Sequence, residues 1–358
     1  MKEKIVVGMS GGVDSSMTLL LLKKQGYDPI GLSLRFSIWK SDKNTCKENI
    51  CCTDESFKIA QDVCDKLNVP YHIIDVKEAF DKNVIQYFID ELKKGRTPNP
   101  CIMCNRHFKF DKLFEFAKQH NVKKVATGHY AKIEINENDE AQLKLAKDET
   151  KDQTYGLCML PQDWLKNIVL PLGDLNKKEV YEIAKKENFD IFLKQKQSQD
   201  LCFVSKKSMP YFIEEKIGLK KGKIVDENGN VLGQHNGTHF FTLGQKKGLN
   251  LSSRYYVKDI DNKNDLVIVT KNIDDVKKSK KIYLKPYNII SNKKFEKKEI
   301  IAKIRYGDSF PSKACAYIEN ENLIIEFIEP RSSVTNGQFC VIYDKDICLG
   351  GGIINSFD

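Results

Sequence analysis

The sequence predicts a doubly wound parallel α/β domain, then a small central β-rich domain and a C-terminal β-barrel. Three observations predict this order. The chain has 358 residues, more than one hydrophobic core usually supports. A glycine-rich turn from Gly8 to Ser16 directly follows a short β-branched run, as in parallel α/β sheets. Near residue 205 the pattern changes to short alternating segments with turn signals between them.

Strands and helices alternate through the first 205 residues. Ile5–Val7 is β-branched and predicts a strand, Asp14–Lys24 has helical spacing, and Pro29–Leu34 predicts a second strand. The same criteria predict further units in chain order: a helix over Asp54–Leu67, a strand over Tyr71–Val76, a long helix over Glu78–Lys94 and a strand over Lys124–Thr127. This alternation indicates a parallel sheet with helices on its faces.

The rest of the chain predicts β-rich modules. Turn signals separate its apolar runs, at Glu227–Asn230, Asp261–Asn264 and Glu319–Asn322. Three of the runs suit a small barrel: Leu266–Val269, Leu323–Phe327 and Phe339–Tyr343. The lysine-rich stretch Lys271–Lys285 suggests a linker. The predicted domains are therefore residues 1–205, 206–278 and 279–358.

The net charge of +9 is concentrated in the second half of the chain. Residues 206–358 carry 26 basic and 19 acidic side chains, whereas residues 1–205 carry 32 and 30. A basic excess can attract a polyanion such as a nucleic acid, but a lysine-rich surface can also be merely solvated. Charge alone leaves both interpretations open.

Hydropathy and cysteine usage indicate a cytoplasmic protein without a membrane partner. No run of about 18 uncharged apolar residues exists to span a bilayer. The apolar stretch at the N-terminus is too short for a signal peptide. With no export signal, the 11 cysteines are expected to stay reduced, as buried, metal-binding or catalytic thiols.

The turn Gly8-Met-Ser-Gly-Gly-Val-Asp-Ser-Ser16 is the first motif that carries chemistry. Backbone N–H groups at such a turn, together with the helix dipole, can hold an anion. No Gly-Lys-Ser/Thr follows, so the turn is not a Walker A loop. It resembles instead the PP-loop of ATP pyrophosphatases, whose adenine nucleotide alpha hydrolase-like fold binds the pyrophosphate of ATP. The resemblance implies that Asp14 lies near Mg²⁺.

A second motif is Gly95-Arg-Thr-Pro-Asn-Pro-Cys-Ile-Met-Cys-Asn105. Its two prolines stiffen the loop, and Arg106 follows it, so we expect a lowered thiol pKa at the start of a helix. Cys-x-x-Cys alone is compatible with zinc, redox exchange or part of an iron–sulfur site, and His107 does not complete zinc spacing. Cys202 is a third candidate thiol. Five cysteines among apolar neighbours are expected in cores: Cys64, Cys158, Cys315, Cys340 and Cys348.

Together these motifs resemble the tRNA-specific 2-thiouridylase family, which includes bacterial MnmA and its mitochondrial relatives. The resemblance covers nearly the whole chain. Beside the PP-loop, it rests on Asn99-Pro-x-x-x-Cys104-Asn, Asp200-Leu-Cys-Phe203, Cys51-Cys52, Ala126–Ala131, Lys151–Gln153, Thr242–Leu249, Arg305-Tyr306, Asn336–Gln338 and Leu349–Ile353.

The resemblance implies an ATP-dependent sulfurtransferase that adenylates the 2-oxygen of the wobble uridine of tRNA and then replaces it with sulfur. The expected substrates are tRNA-Lys, tRNA-Glu and tRNA-Gln. Cys104 would be the nucleophile, Cys202 the persulfide carrier and Asp14 the magnesium and adenylation residue, with the sulfur supplied by a cysteine desulfurase or sulfur-relay protein. The implied nucleotide-binding residues are Gly8, Met9, Ser10, Gly11, Gly12, Val13, Asp14, Ser15, Leu34 and Gly128.

The resemblance also implies which residues contact tRNA. They are His129, Lys151, Asp152, Gln153, Arg305, Tyr306 and Gln338. Phosphate contacts from the basic second half would supply affinity, and the target base must leave its stack to reach the thiols.

One residue departs from the family pattern. Where many members have aspartate after Asn-Pro, this chain has Cys101. Cys101, Cys104 and Cys202 could therefore hold a [4Fe–4S] cluster with one open position, which leaves a cluster-dependent thiolation beside the persulfide route. Another PP-loop tRNA thiolase and a non-catalytic RNA-binding protein are the remaining alternatives; the second would not consume ATP.

Overall fold

A computed structural model describes residues 2–44, 53–193, 201–308 and 311–358. Cys51-Cys52 and Asp200, which the sequence analysis named, lie outside these ranges. The strands within them are β1 (Lys4–Gly8), β2 (Asp28–Arg35), β3 (Tyr71–Asp75), β4 (Lys124–Ala126), β5 (Lys132–Ile135), β6 (Ala141–Lys144), β7 (Ile168–Val169), β8 (Gly222–Val225), β9 (Val231–His235), β10 (Tyr256–Asp261), β11 (Leu266–Thr270), β12 (Lys278–Ile289), β13 (Lys298–Lys303), β14 (Ser312–Glu319), β15 (Asn322–Ser332), β16 (Phe339–Asp344) and β17 (Ile347–Phe357).

The α-helices of the same ranges lie mostly in the first half of the chain. They are α1 (Val13–Lys24), α2 (Asp54–Lys66), α3 (Lys77–Phe80), α4 (Gln86–Lys93), α5 (Pro100–Cys104), α6 (Phe110–Gln119), α7 (Thr154–Leu157), α8 (Gln162–Leu165), α9 (Lys177–Lys186) and α10 (Met209–Ile217). Two π-helical turns join α3 to α4 and α5 to α6, at Asp81–Ile85 and Asn105–Lys109. The long helix predicted over Glu78–Lys94 is therefore present with a π turn inside it.

The first part of the chain forms a five-stranded parallel sheet in the order β3-β2-β1-β4-β7. Ile5, Val6 and Val7 of the central strand are completely buried, because two separate apolar clusters cover the two faces. This confirms the predicted parallel α/β domain. In a parallel sheet the carboxyl ends of the strands meet at one edge, where ligands of open α/β folds bind.

The central part is a four-stranded sheet in the order β10-β11-β8-β9. β8 and β9 form a hairpin across the predicted turn at Glu227–Asn230, and β10 and β11 form another across Asp261–Asn264. Ile224, Val257 and Val267 fill its small core. The predicted β-rich central domain is confirmed.

The last part closes into a six-stranded barrel, β12-β15-β14-β13-β16-β17, because β17 also pairs with β12. Ile282, Phe327 and Ile342 are completely buried inside it. The antiparallel hairpin β5–β6 extends the barrel sheet, since Leu143 pairs with Cys348 of β17. A segment of the first 205 residues therefore shares a sheet with the C-terminal barrel.

The linker predicted over Lys271–Lys285 was wrong in part, because β12 begins at Lys278. Ser279, Ile282 and Leu284 of that strand are completely buried, while its lysines lie among the exposed or half-buried positions. Lysines on the outer face of β12 made a barrel strand resemble a linker in the sequence.

Candidate nucleotide and thiol site

The glycine-rich turn lies where β1 passes into α1, at the carboxyl edge of the parallel sheet. Gly11 has a φ of +75°, and a Cβ there would lie 2.3 Å from the carbonyl oxygen of Ser56, so only glycine suits the position. No side chain caps α1 at Gly12, and the first N–H groups of a helix have no acceptor within it. The turn therefore presents N–H donors to an anion.

Hydrogen bonds of two serines fix the turn. The backbone N–H of Ser10 donates to Oγ of Ser15 at 3.1 Å, and that hydroxyl donates to the carbonyl of Gly12. Leu34 is buried at the end of the neighbouring strand β2. A Cβ at Gly128 would lie 2.8 Å from the carbonyl carbon of Asp14, so the loop after β4 closely contacts the first turn of α1. The residues predicted to bind nucleotide thus lie along one edge of the sheet.

Asp14 is held by two side chains that the sequence analysis did not identify. Nζ of Lys177 lies 2.6 and 2.7 Å from the two carboxylate oxygens, and the hydroxyl of Tyr130 donates to Oδ1 at 2.7 Å. Burial and the adjacent Asp14 charge raise the pKa of Tyr130 well above its usual range, so the phenol stays a donor. The carboxylate is therefore neutralised and oriented within the protein.

The paired cysteines lie in the short helix α5, Cys101 in its first turn and Cys104 at its last position. Asn99 caps α5 by accepting the backbone N–H groups of Cys101 and Ile102, and Pro100 occupies the first helical position. Cys101 is exposed, whereas Cys104 is buried at the end of α5. The π turn Asn105–Lys109 follows directly, and π turns recur at functional sites.

Cys202 lies in a tight turn whose two flanking residues, Leu201 and Val204, form an isolated antiparallel bridge. Phe203 anchors this turn, because its ring is completely buried and packs 5.4 Å from that of Phe212. Its carbonyl also accepts the backbone N–H of Trp39 at 3.0 Å. The Cys202 side chain itself remains partly exposed.

The three thiols influence one another electrostatically. Cys202 acts on both Cys101 and Cys104, as does the ammonium of Lys109. Lys109 acts on His129 as well, and His129 adjoins Gly128 in the loop that contacts Asp14. Cys104 and Cys202 are therefore close enough to interact electrostatically, and Lys109 acts on both Cys104 and His129.

The expected lowering of the thiol pKa was wrong. Burial raises the pKa of Cys104 well above its usual range, although Lys109 opposes the shift. Cys101 is exposed, yet enough protein surrounds its sulfur that desolvation raises the pKa to about 12. Arg106 does not compensate, since its guanidinium stacks on Trp164 at 4.7 Å. Desolvation of a thiolate outweighs the nearby positive charge.

The described residues contain no preformed site for a single metal ion. Within residues 2–44, 53–193, 201–308 and 311–358, no three His, Cys, Asp or Glu side chains are arranged to hold a metal ion. Cys101, Cys104 and Cys202 lie in these ranges and do not form a single-ion site. Asp14 is a single carboxylate that already has a lysine partner, which does not match a protein-built Mg²⁺ site either.

The predicted tRNA contacts include a neutral histidine. Nδ1 of His129 lies 2.7 Å from Oγ1 of Thr127, and its ring stacks on Phe110 at 5.9 Å. Burial lowers the pKa of His129 to about 3. At neutral pH this side chain can offer a hydrogen bond to RNA but no positive charge.

Two further predicted tRNA contacts already have partners inside the protein. The carboxylate of Asp152 accepts the N–H of Ala146 and the hydroxyl of Thr154, and burial raises its pKa. Oε1 of Gln153 accepts the N–H of Tyr130 at 2.9 Å. Lys151 beside them is half-buried. Asp152 and Gln153 therefore stabilise the conformation of this segment through hydrogen bonds within the protein.

Of the next two predicted tRNA contacts, Arg305 is bonded within the protein and Tyr306 is exposed. One guanidinium nitrogen of Arg305 donates to the carbonyls of Leu243 and Ser333, so this side chain joins the central sheet to the barrel. Tyr306 is 58% exposed, and its hydroxyl lies 3.5 Å from the carbonyl oxygen of Asp152. Desolvation, followed by the charges of Asp152 and Cys101, raises the pKa of its phenol. Tyr306 therefore offers an accessible aromatic face near the thiols.

The loop that leads into α5 contacts both other domains. The N–H of Thr97 donates to the carbonyl of Asn336 at 2.8 Å, and Oγ1 of Thr97 lies 2.8 Å from Oγ1 of Thr242. Gly337, beside the half-buried Gln338, has a φ of +90° and packs against Arg96 and Thr97. The barrel and the central sheet thus help to position the cysteine loop.

Sequence reasoning missed Lys177, Tyr130 and the electrostatic role of Lys109. Asn176 and Glu179 form a capping box at the start of α9, and this spacing could have predicted the helix. Nothing in the spacing could have shown that Lys177 reaches Asp14, 163 positions away.

No helix in the described part of the chain is long and apolar enough to cross a membrane.

Comparison with known proteins assigns all three parts of the chain. Family models match residues 3–206 (tRNA methyl transferase HUP domain), 210–271 (tRNA methyl transferase PRC-barrel domain) and 279–354 (Aminomethyltransferase beta-barrel domain). The crystal structure of a 4-thiouridine synthetase–RNA complex with bound ATP aligns with 60% of this chain and 50% of that chain, at 18% identity and a TM-score of 0.39.

Curated relatives match over nearly the full length. The chain is 41% identical over 362 residues to tRNA-specific 2-thiouridylase MnmA of Clostridium perfringens, covering 99% of both chains. It is 40% identical over 361 residues to the protein of that name in Clostridioides difficile, covering 99% of this chain and 98% of the relative. The chain belongs to the tRNA-specific 2-thiouridylase family.

Proposed function

We propose that this protein is an ATP-dependent tRNA uridine 2-sulfurtransferase. Its substrate is the wobble uridine of tRNA, in tRNA-Lys, tRNA-Glu and tRNA-Gln. The observations that support the proposal are a glycine-rich turn suited to an anion, its close approach to the loop at Gly128, and three thiols that interact electrostatically with one another. A nucleotide site and a sulfur carrier close to each other suit a reaction in which ATP first activates the uridine oxygen and sulfur then replaces it.

The first half of the reaction makes a leaving group. The 2-carbonyl of uridine is a poor electrophile, so its oxygen attacks the α-phosphorus of ATP, the bond from that phosphorus to the bridging oxygen breaks, and pyrophosphate leaves. Gly8–Ser15 would bind the phosphates through N–H donors, and Leu34 and Gly128 would line the adenine and ribose pocket. Mg²⁺ would enter with the nucleotide as part of the substrate, because it is usually held by phosphates and few carboxylates.

The second half introduces sulfur. A cysteine desulfurase or sulfur-relay protein would leave a persulfide on Cys202, whose partly exposed turn is accessible to such a donor. In one route the terminal sulfur attacks C2, the C2–O bond breaks with loss of AMP, and the Cys104 thiolate then breaks the S–S bond, forming a Cys104–Cys202 disulfide that an external thiol reduces. In the other, Cys104 first attacks the Cys202 sulfur, forms that disulfide and releases hydrosulfide, which attacks C2.

The raised pKa of Cys104 has a mechanistic use in this proposal. A thiol that stays protonated in the resting enzyme does not attack other electrophiles, and Lys109 stabilises the thiolate once it forms. Because both routes need a thiolate at Cys104, we expect the sulfur-transfer rate to rise with pH through and beyond neutrality.

The tRNA would lie across the cysteine loop and the barrel. Tyr306 supports this placement because an exposed aromatic ring beside the thiols can stack on an unstacked base. Lys151 is the cation of the proposed contacts in the 151–153 segment, whereas His129 and Gln338 would contribute hydrogen bonds. Asp152, Gln153 and Arg305 would act by shaping the surface, since their side chains bond within the protein.

The test is a reconstituted reaction with unmodified tRNA-Lys transcript, ATP and a chemical persulfide or sulfide source. We expect AMP formation that requires tRNA, and a digested nucleoside with sulfur in place of the 2-oxygen. The matched control is the same transcript with the wobble uridine replaced by cytidine, which should give neither product. AMP formation indifferent to the tRNA, or no thiolated nucleoside with every component present, would refute the proposal.

A further inference from the structure

We infer that Phe80 positions Cys104 and Cys202 relative to each other, because its ring packs against one phenylalanine from each of the two cysteine segments. The inference rests on the sulfur-transfer step of the proposed function and adds a positioning residue to that step. Phe80 has no reactive group, so its role is to hold the thiols in place and not to take part in the chemistry.

The ring contacts of Phe80 are the first observation. Phe80 is the last residue of α3 and is completely buried. Its ring lies 5.5 Å from that of Phe108 and 6.1 Å from that of Phe203, edge to face in both cases. Phe108 lies four residues after Cys104, and Phe203 directly follows Cys202. One side chain therefore packs against both segments that carry the reacting thiols.

A fourth ring attaches this group to the parallel sheet. Phe36 is the first residue after β2 and is buried, and its ring lies 4.8 Å from that of Phe80 and 5.7 Å from that of Phe108. We call Phe36, Phe80, Phe108 and Phe203 the phenylalanine junction. Because strands hold a site more precisely than loops do, the junction gives both cysteine segments a common reference on the sheet.

On the Cys202 side, the junction fixes a turn whose thiol remains accessible. The Phe203 ring is enclosed further by Phe88 and Phe212, at 5.9 and 5.4 Å between ring centres. Cys202, the residue before it, is partly exposed. Since the two residues are consecutive, a displacement of the Phe203 ring would also move the thiol.

On the Cys104 side, two π turns border the junction. Asp81–Ile85 begins directly after Phe80, whereas Asn105–Lys109 begins directly after Cys104 and contains Phe108. The two turns contact each other, and the first also contacts α5. π turns are rare and recur at functional sites. Two of them in contact beside Cys104 indicate an arrangement that serves the reaction.

The chemistry makes this packing important. Cys104 and Cys202 must form a bond with each other in both proposed routes, and the two thiols already interact electrostatically. Groups held at reacting distance have a high effective concentration, and a displacement of about 1 Å can cost roughly 100-fold. A ring that fixes both segments therefore controls the sulfur-transfer step through packing alone.

The first experiment measures the effective concentration of the Cys104–Cys202 pair in the full-length protein. The protein is equilibrated with reduced and oxidised glutathione, without ATP or tRNA, so that the two thiols are oxidised to a disulfide while one glutathione disulfide is reduced to two thiols. Peptide mass spectrometry quantifies the linked pair. Phe80→Leu should lower the effective concentration roughly 10- to 100-fold.

The matched control is Phe327→Leu. Phe327 is as completely buried as Phe80, but it lies inside the barrel. The same change of side chain there should leave the effective concentration within about twofold, because distant sites act independently. Thermal unfolding of both variants separates lost positioning from lost folding.

The second experiment approaches the same contact from the Cys202 side. Phe203→Leu should lower the effective concentration as well, and it decides the question if Phe80→Leu does not fold. The double variant should lose less than the product of the two single losses, because both changes remove one shared contact. In the reconstituted reaction, sulfur transfer should fall with the effective concentration while tRNA-dependent AMP transfer stays within about threefold.

Four results would overturn the inference. They are an effective concentration in Phe80→Leu equal to that in Phe327→Leu, multiplicative losses in the double variant, equal losses of AMP transfer and sulfur transfer, and no Cys104–Cys202 disulfide in the unmodified protein. Because the glutathione equilibrium needs neither ATP nor tRNA, a protein whose disulfide depends on Phe80 but which never thiolates tRNA would refute the proposed function alone.

Discussion

The nucleotide end and the thiol end of the site use opposite electrostatics. At the nucleotide end, Asp14 and Lys177 are charged, paired and held at 2.6–2.7 Å. At the thiol end, Cys104 is buried, and the pKa values of Cys101 and Cys104 are raised, so both are neutral at physiological pH.

This difference follows from what each half of the reaction needs. Transfer of AMP requires fixed charges that are in place before the substrate arrives. A sulfur nucleophile needs a charge only during the reaction, and a permanent thiolate would be open to oxidation. The charges at the nucleotide end are therefore in place before the reaction, whereas the thiols become charged only during it.

The largest expected effect separates the two ends. Cys202→Ser should lower thiouridine formation more than about 10³-fold while leaving tRNA-dependent AMP transfer within about threefold, because the sulfur carrier acts after activation. Mass spectrometry of the nucleoside and an adenylation assay measure the two halves. Cys315→Ser, in the barrel, is the control and should keep both. Loss of AMP transfer in Cys202→Ser would contradict the order of steps.

The thiol end packs against the other domains at the Thr97 loop. Gly337→Ala places a Cβ 3.0 Å from the Arg96 Cβ and the Thr97 nitrogen at a φ of +90°, so we expect a loss of about 2–3 kcal/mol in unfolding free energy. Gly229 has a similar φ of +85° and an open environment, so Gly229→Ala should cost only about 1 kcal/mol. Equal losses in chemical denaturation would show that the contact does not matter.

His129 lies between the two ends, and its neutrality gives a pH-dependent prediction. Its pKa is about 3 in the fold against an ordinary 6.5, so between these values the unfolded chain binds a proton that the folded chain does not. His129 therefore reduces stability as the pH falls below about 6.5. His129→Asn should shrink the loss of unfolding free energy between pH 7 and pH 5 by at most about 2 kcal/mol. An unchanged pH profile would mean that His129 titrates normally.

The smallest expected effect concerns the number of thiols that the reaction needs. Cys101→Ser should lower thiolation less than about tenfold, because the persulfide route uses only Cys104 and Cys202. Anaerobic purification with an iron assay accompanies the activity measurement. Bound iron in the unmodified protein, lost together with all activity in Cys101→Ser, would establish the cluster-dependent route instead.

The sequence predicted elements and sites whose signal is local. The glycine turn, the parallel strands and the hairpin turns each depend on residues close together in the chain, and all are present. The start of β12 was predicted as a linker because its outward-facing side chains are lysines. Whether the pKa of a thiol is raised or lowered depends on its burial, which the spacing of residues in the sequence does not show. The shift for Cys101 and Cys104 was therefore predicted in the wrong direction. Lys177 was missed because only the packed fold brings it to Asp14.

The hairpin β5–β6 has a consequence for how the chain is made. The outer strand partner of β6 is β17, where Lys144 and Leu143 pair with Ile347 and Cys348, so this edge of β6 stays unpaired until residues 347 and 348 have been synthesised. N-terminal domains usually fold first during synthesis, but here a completed nucleotide domain must wait with an open strand edge. We therefore expect fragments that end before residue 347 to aggregate, and expression as two separate halves to recover the assembly poorly.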